Sequence, residues 1–479
     1  VIVAAGFFAF IALFAVIGAA AATRRQATVD DYLLAGRDVS PWLTALSSAA
    51  TNNSGFMFIG LLGFTYQFGV QAVWLQAGWI AGDVIAWVWI HPRVRAHSER
   101  VDARSVAQLV ARDGDRRPAR ALTVAVAVLT LVFLVGYAGA QLRAGSAALD
   151  GLFGWGMAPG VLLGGVIVVA YCLAGGLRAS IWTDAAQALT MLGALAALVG
   201  CAAAEVGGPV ALARALEAED PALVQWIPDE LALGFGLYAL GFVFGGLGAI
   251  GQPHILVRSM AIRSVGAVRR ATWIYFAWYV PFSCAAVVAG MYARVLVPDL
   301  LAGVDPAAAG VAAEAALPRL ADHVLPDVLI GVLLAGVFAA TMSTADSQLL
   351  SCSAAVSQDL APGRRTYAGG KVATLVVAAA ATTFALTADG TVLGLVLGAW
   401  SALGATIGPV LVIRLFGLPL PGGLGLAMMA TGLALALGWA RGPWAADVFE
   451  LLPAMLAPLV VYAAAFVGWL RGATARAAA

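Results

Sequence analysis

The chain has 479 residues, 62% of them hydrophobic and 11% charged, with a formal net charge of +1 and a mean hydropathy of +0.92. Soluble domains carry about 25% charged residues, so the composition excludes an ordinary soluble globular protein, and no basic tract points to nucleic acid. Repeated apolar runs of about 20 residues predict an all-α polytopic membrane protein.

In chain order, thirteen spans are predicted at 1–22, 41–67, 70–91, 118–149, 158–177, 180–204, 232–257, 266–297, 325–358, 366–388, 391–416, 420–440 and 450–470. The opening run lacks a basic leader and a clear cleavage site, so it reads as a helix and not a signal peptide. Between spans three and four lie Arg93, Arg95, Arg100, Arg104, Arg112, Arg116, Arg117 and Arg120. Arg258, Arg263, Arg269 and Arg270 are read as following span seven, and Arg364, Arg365 and Lys371 as following span nine. The loop 205–231 is acidic instead, with Glu205, Glu217, Glu219, Asp220, Asp229 and Glu230. By the positive-inside rule the basic loops face the cytoplasm. The expectation is a bacterial inner-membrane protein with its N-terminus outside and its C-terminus inside.

Two spans are interrupted. Span two collects Thr51-Asn52-Asn53-Ser54-Gly55, and span seven carries Gly245-Gly246-Leu247-Gly248, then Gly251-Gln252-Pro253. Broken membrane helices leave backbone carbonyls and N–H groups free for ions and solutes. Five spans separate the two breaks, which predicts two inverted five-helix repeats, spans 2–6 (41–204) and 7–11 (232–416). The first helix and two C-terminal helices (420–470) would flank them in a single transporter domain. The plain alternative at span seven is close helix packing on glycine.

Span nine holds Met342-Ser343-Thr344-Ala345-Asp346-Ser347. Adjacent hydroxyls, with backbone oxygens one turn earlier, suit a hard monovalent cation. Gln141 and Arg143 follow Tyr137 on span four, and Asp83 lies well inside span three. A charge within a span is a functional hypothesis by default, because central placement costs about 2.5–3.5 kcal/mol on insertion scales. Arg143 either snorkels or faces inward to receive a carboxylate. Asp83 reads as a coupling acid, a partner for another helix or a structural group. Cys172, Cys201, Cys284 and Cys352 have no metal-ligand spacing, the four histidines are scattered, and neither G-x-S-x-G nor a phosphate-binding glycine loop occurs. The chain is therefore not read as an enzyme, and no resident cofactor is expected.

The ordered segments DDYLLAGRD (30–38), ATNNSGF (50–56), GGLRASIWTDAAQ (175–187), GLGAIGQPHIL (246–256) and MSTADSQLLSCSAAVSQDL (342–360) resemble the sodium/solute symporter family, most nearly its sodium/proline branch. The resemblance implies a thirteen-helix, LeuT-like fold that couples solute import to sodium by alternating access. It places a sodium site at Ala50, Asn53, Ala340, Ser343 and Thr344. Asp184 matches an aspartate on the family's sodium release route, while the plain alternative is an acid paired with Arg178. Ser54, Gly55 and Tyr137 match substrate contacts. Gln141 and Arg143 on span four, and Pro253 at the span-seven break, are counted with that pocket.

Other positions depart from the proline branch. Asn52 stands where the branch has an aspartate, Phe56 where it has a tryptophan, and Gly245 and Ala249 where it has a Trp and a Tyr. Losing two rings of about 150–250 Å² each predicts a wider pocket and an amino acid bulkier than proline. With no charge at Asn52, sodium should bind more weakly. Proton coupling through Asp83, Asp184 or Asp346 is the alternative to sodium. A second alternative is a sensing module within a longer membrane histidine kinase.

Overall fold

The computed structural model describes residues 2–112, 119–361, 363, 365–388 and 391–478. Arg116, Arg117 and Arg364 of the predicted basic loops lie outside the described residues. Among the described residues every regular element is helical, and the one extended pairing is a single bridge between Val39 and Ile262.

Among the described residues ten helices are long and apolar enough to cross a membrane, or eleven when Phe235–Gly251 and Pro253–Ala261, bent by 59°, count as one span. This is fewer than the thirteen predicted. Two of the ten, Phe56–Arg100 and Met157–Val206, run for 45 and 50 residues. A hydrocarbon core of about 30 Å takes only about 20 residues of helix. Each of these long stretches contains a glycine in the left-handed region, Gly69 (φ 57°) and Gly176 (φ 57°). At Gly176 a Cβ would fall 2.5 Å from the Tyr32 carbonyl oxygen, so the chain turns there on a residue no side chain could replace.

Polar caps start the apolar runs. Ser40 accepts the Leu43 N–H ahead of Pro41, which opens Pro41–Asn52. Thr366 and Thr391 likewise cap Tyr367–Thr387 and Val392–Leu415; each satisfies an N–H that a helix start leaves bare.

Asp327–Ala354, almost wholly buried, is the central column. It packs along Met157–Val206, Arg120–Phe153 and Ile2–Ala22. The outer faces of the bundle are apolar: Trp273, Val166 and Val132 are among its most exposed large side chains. That is the pattern of a helical bundle whose solvent is lipid.

Candidate functional site

The Pro41–Asn52 helix stops because Asn53 leaves helical geometry (φ −98°, ψ 68°). A short break through Ser54 precedes a wide helical turn at Phe56–Gly60. A helix end exposes its last carbonyls, and here the central column receives two of them. Ser343 Oγ donates to the Ala50 carbonyl and to that of Ala340, both at 3.1 Å. Thr344 Oγ1 donates to the Thr51 and Ala340 carbonyls, both at 3.0 Å. Thr51 Oγ1 lies 3.3 Å from Ser347 Oγ. All of these groups are buried. Five neutral oxygens, three from carbonyls and two from hydroxyls, thus meet at the negative end of a helix dipole, which favours a cation.

Four of the five predicted ion-site residues, Ala50, Ala340, Ser343 and Thr344, are brought together. At Asn53 the recorded bonds are inward: its backbone N–H and its Nδ2 both donate to Ala49 O, at 3.0 and 2.9 Å. Thr51, its neighbour in the same motif, is the residue that joins the cluster.

A second buried network lies one turn further along the column. Asp184 Oδ2 accepts from Ser47 Oγ at 2.7 Å and from Arg258 Nη2 at 2.9 Å, with both side chains of the ion pair fully buried. Ser180 Oγ joins Asp184 (3.4 Å) to Asp346 Oδ1 (3.0 Å). Arg258 also donates to Ser347 Oγ and to the His254 carbonyl.

Two expectations are corrected here. Arg258 is not a loop residue: it sits inside Pro253–Ala261, where a buried acid compensates it. Asp184 is not paired with Arg178, whose guanidinium binds Asp31 at 2.5 Å.

The sodium:solute symporter family matches this chain over residues 32–418. The chain belongs to the sodium:solute symporter family. It is 30% identical over 451 residues to the high-affinity proline transporter PutP of Bacillus subtilis (strain 168), covering 92% of each chain. It is also 30% identical over 449 residues to the sodium/proline symporter of Escherichia coli (strain K12), covering 91% of this chain and 87% of that one. Among solved structures, a Na+-coupled sialic acid symporter in a substrate-bound, outward-open state superposes with a TM-score of 0.75 at 19% identity, covering 96% of both chains. The nucleobase-cation-symport-1 family transporter MHP1 gives 0.56 at 16% identity, covering 90% of this chain and 93% of that one.

In this symporter the predicted solute residues divide. Ser54 lies beside Tyr137, and the Tyr137 ring meets His254 edge-on at 5.6 Å between centroids. The break of span two is therefore tied to span seven through span four. Gln141 Oε1 accepts the Gly55 N–H at 3.0 Å. A Cβ on Gly55 would lie 2.8 Å from Thr341 Cγ2, so this glycine is packed against the column and offers no surface to a solute. Arg143 does not face a pocket: it donates to the Ala385 and Ala388 carbonyls and caps the end of Tyr367–Thr387. Pro253 opens the Pro253–Ala261 helix and lines a small space of about 20 Å³ with Leu33, Arg104 and Asp359, apart from the other solute residues.

The widened pocket is also corrected. The space released at Gly245 is taken: a Cβ there would lie 2.6 Å from the Trp79 ring, and Trp400 Nε1 donates to the Gly245 carbonyl at 2.9 Å. Ala249 is buried in the tight Gly248–Gly251 turn. Phe56 stacks on Trp79 at 6.2 Å. Both rings line a cavity of about 440 Å³ with Tyr238, Phe242 and Glu230. Rings from other helices thus replace those missing from span seven.

Sequence reasoning missed Thr51, Ser180, Ser347, Arg258, Trp79 and Trp400. Thr51, Ser180 and Ser347 lie within motifs already singled out. Arg258 was visible only as a charge five residues past Pro253. The two tryptophans carry no sequence signal that separates them from ordinary core aromatics.

Proposed function

We propose that this chain is a sodium-coupled symporter that imports a small amino acid of proline's size class by alternating access across a bacterial inner membrane. The observation that carries the reading is the convergence of Ser343 and Thr344 on the Ala50, Thr51 and Ala340 carbonyls. Each hydroxyl has one hydrogen and two lone pairs. Rotating the hydrogens away turns five mutually bonded oxygens into a shell for a hard cation, with no change of backbone. The names of the relatives support a solute of proline's class, and the filling of Gly245 by Trp79 supports it independently.

Each step of the cycle then has a group to perform it. Sodium bound at the end of Pro41–Asn52 fixes the broken helix against the column, which orders Ser54 and Gly55 beside Tyr137 and Gln141. Asp184 and Asp346 form the release route, where an arriving cation competes with Arg258 for the carboxylate. Dividing Phe56–Arg100 and Met157–Val206 at Gly69 and Gly176, and counting the bent pair, gives thirteen crossings in two inverted repeats. On that reading the 205–231 loop is outside and the C-terminus is cytoplasmic.

The test is uptake into proteoliposomes with a sodium gradient imposed separately from a pH gradient, alongside counterflow with a panel of amino acids. Sodium-driven proline uptake whose sodium requirement rises about a hundredfold in Ser343→Ala/Thr344→Ala supports the reading. A sodium requirement unchanged by the double substitution rejects the ion site. Preference for a much larger solute rejects the size class.

A further inference from the structure

The break of span two has a second set of polar contacts, made to helices other than the one that carries Ser343 and Thr344. Asn52 Nδ2 lies 2.6 Å from Tyr275 OH and 3.3 Å from Asp83 Oδ2. Tyr275 OH donates to the same Asp83 oxygen at 2.5 Å. Three helices meet in this triad: the broken span two, span three and Val265–Leu296. Asp83 is 1% exposed, and none of the hydrogen bonds or ion pairs found for it involves a cationic side chain.

The triad holds more acceptors than donors. Asp83 Oδ1 and Asn52 Oδ1 are both buried, and neither receives a hydrogen bond from the protein. A carboxylate with one bare oxygen in a poorly hydrated interior is strongly unfavourable unless positive charge meets it. Asp31 has both oxygens bonded, with Arg178 on one and the Gln26 N–H on the other. Asp184 and Asp359 each leave one oxygen bare, but arginines lie beside both. Asp83 combines a bare oxygen with no such partner among the interactions found for it.

The surroundings limit what can approach. Gly82, next in the chain, packs backbone to backbone on span seven, and a Cβ there would fall 2.0 Å from Val243 O. Trp87 covers the other side by stacking on Tyr275 at 4.6 Å. A bare monovalent ion fits this constraint better than an organic ammonium group.

We propose that Asp83, Asn52 and Tyr275 form a second monovalent-cation site, which binds sodium through Asp83 Oδ1 and Asn52 Oδ1. It lies at the same helix end that carries the Ala50 and Thr51 carbonyls. The two cations would share one broken helix, with Asp83 supplying a negative charge that the neutral oxygen cluster lacks. This proposal rests on the sodium-coupled reading above but concerns different residues.

The experiment is equilibrium binding of radioactive sodium to the purified, monodisperse full chain. Four variants accompany the wild type: Asp83→Asn, Tyr275→Phe, the charge swap Asn52→Asp/Asp83→Asn, and Ser343→Ala/Thr344→Ala. The expected result is two ions per wild-type chain and one in Asp83→Asn. The Asp83→Asn variant should also need about tenfold more sodium for half-maximal uptake, from loss of a close unit charge. Tyr275→Phe keeps the carboxylate and should keep two ions at weaker affinity, while the swap should restore the second ion. One ion in the wild type that is still bound in Asp83→Asn, or two in Asp83→Asn, overturns the proposal. So does a pH dependence that moves in Asp83→Asn while its sodium titration does not, which would make Asp83 a proton site. Two ions remaining in Ser343→Ala/Thr344→Ala would instead reject the first site, so the two failures are distinguishable.

Discussion

The two broken helices look alike in sequence and behave differently in the fold. At span two, the carbonyls left by the break meet hydroxyls of another helix, Ser343 and Thr344. At span seven, the break is closed by packing. Gln252 Nε2 donates to the Gly248 carbonyl at 3.3 Å and to the Trp400 carbonyl at 2.9 Å, and a Cβ on Gly251 would lie 2.4 Å from Leu403 O. A hydroxyl can yield its place to an ion at little cost, whereas a backbone pressed on a backbone cannot. The partner helix thus decides whether the carbonyls freed by a break meet hydroxyls that can rearrange or are locked in a rigid joint.

That contrast can be tested by substitutions with different expected readouts. The largest effect should come from Arg258→Ala, because Arg258 joins span seven to span two through Ser47 (3.0 Å) and to Asp184. Stranding a fully buried carboxylate costs about 3–5 kcal/mol. A large fall in thermal stability in detergent is expected, and an unchanged melting temperature would break the link between the two helices. Next, Ser343→Ala/Thr344→Ala removes two hydroxyl oxygens worth about 1–1.5 kcal/mol each. The sodium concentration for half-maximal uptake should rise roughly a hundredfold, with the fold intact by size-exclusion chromatography.

Gly251→Ala should do the reverse, lowering stability by about 1–3 kcal/mol through overpacking while sodium affinity in the surviving protein stays near wild type. If it altered sodium affinity more than stability, the two breaks would not differ as described. The smallest effect is expected from Gln252→Ala, which bares two carbonyls at about 1 kcal/mol. A modest loss of stability without loss of coupling would sharpen the comparison.

Much of the buried oxygen cluster was legible in the residues. Ala340, Ser343 and Thr344 are spaced so that one helical turn brings a carbonyl beneath two hydroxyls, a relation fixed by helix geometry. Ala50 was reached through the resemblance to the symporter family, which the polar, helix-weakening residues beside it carry. The choice between Thr51 and Asn53 was not legible. It depends on how the chain leaves the helix at Asn53 (φ −98°, ψ 68°), which sets the carbonyl that faces the column. The solute side was legible only in part. Removing rings at Gly245 and Ala249 predicted space, but Trp79 and Trp400 come from helices far away in sequence, and a volume argument from one helix cannot see them.

The sequence by itself determined the class of molecule, because apolar runs with so few charges have no stable place except within a bilayer. It also determined where the helices must weaken, since glycine and adjacent polar side chains remove local support whatever surrounds them. The tertiary structure decided what each weakness faces. It buried Arg258 against Asp184, set Arg143 on the end of another helix, and set Asp83 against Asn52. Each of these depends on the angle and register at which distant helices pack, and no local pattern along the chain encodes that.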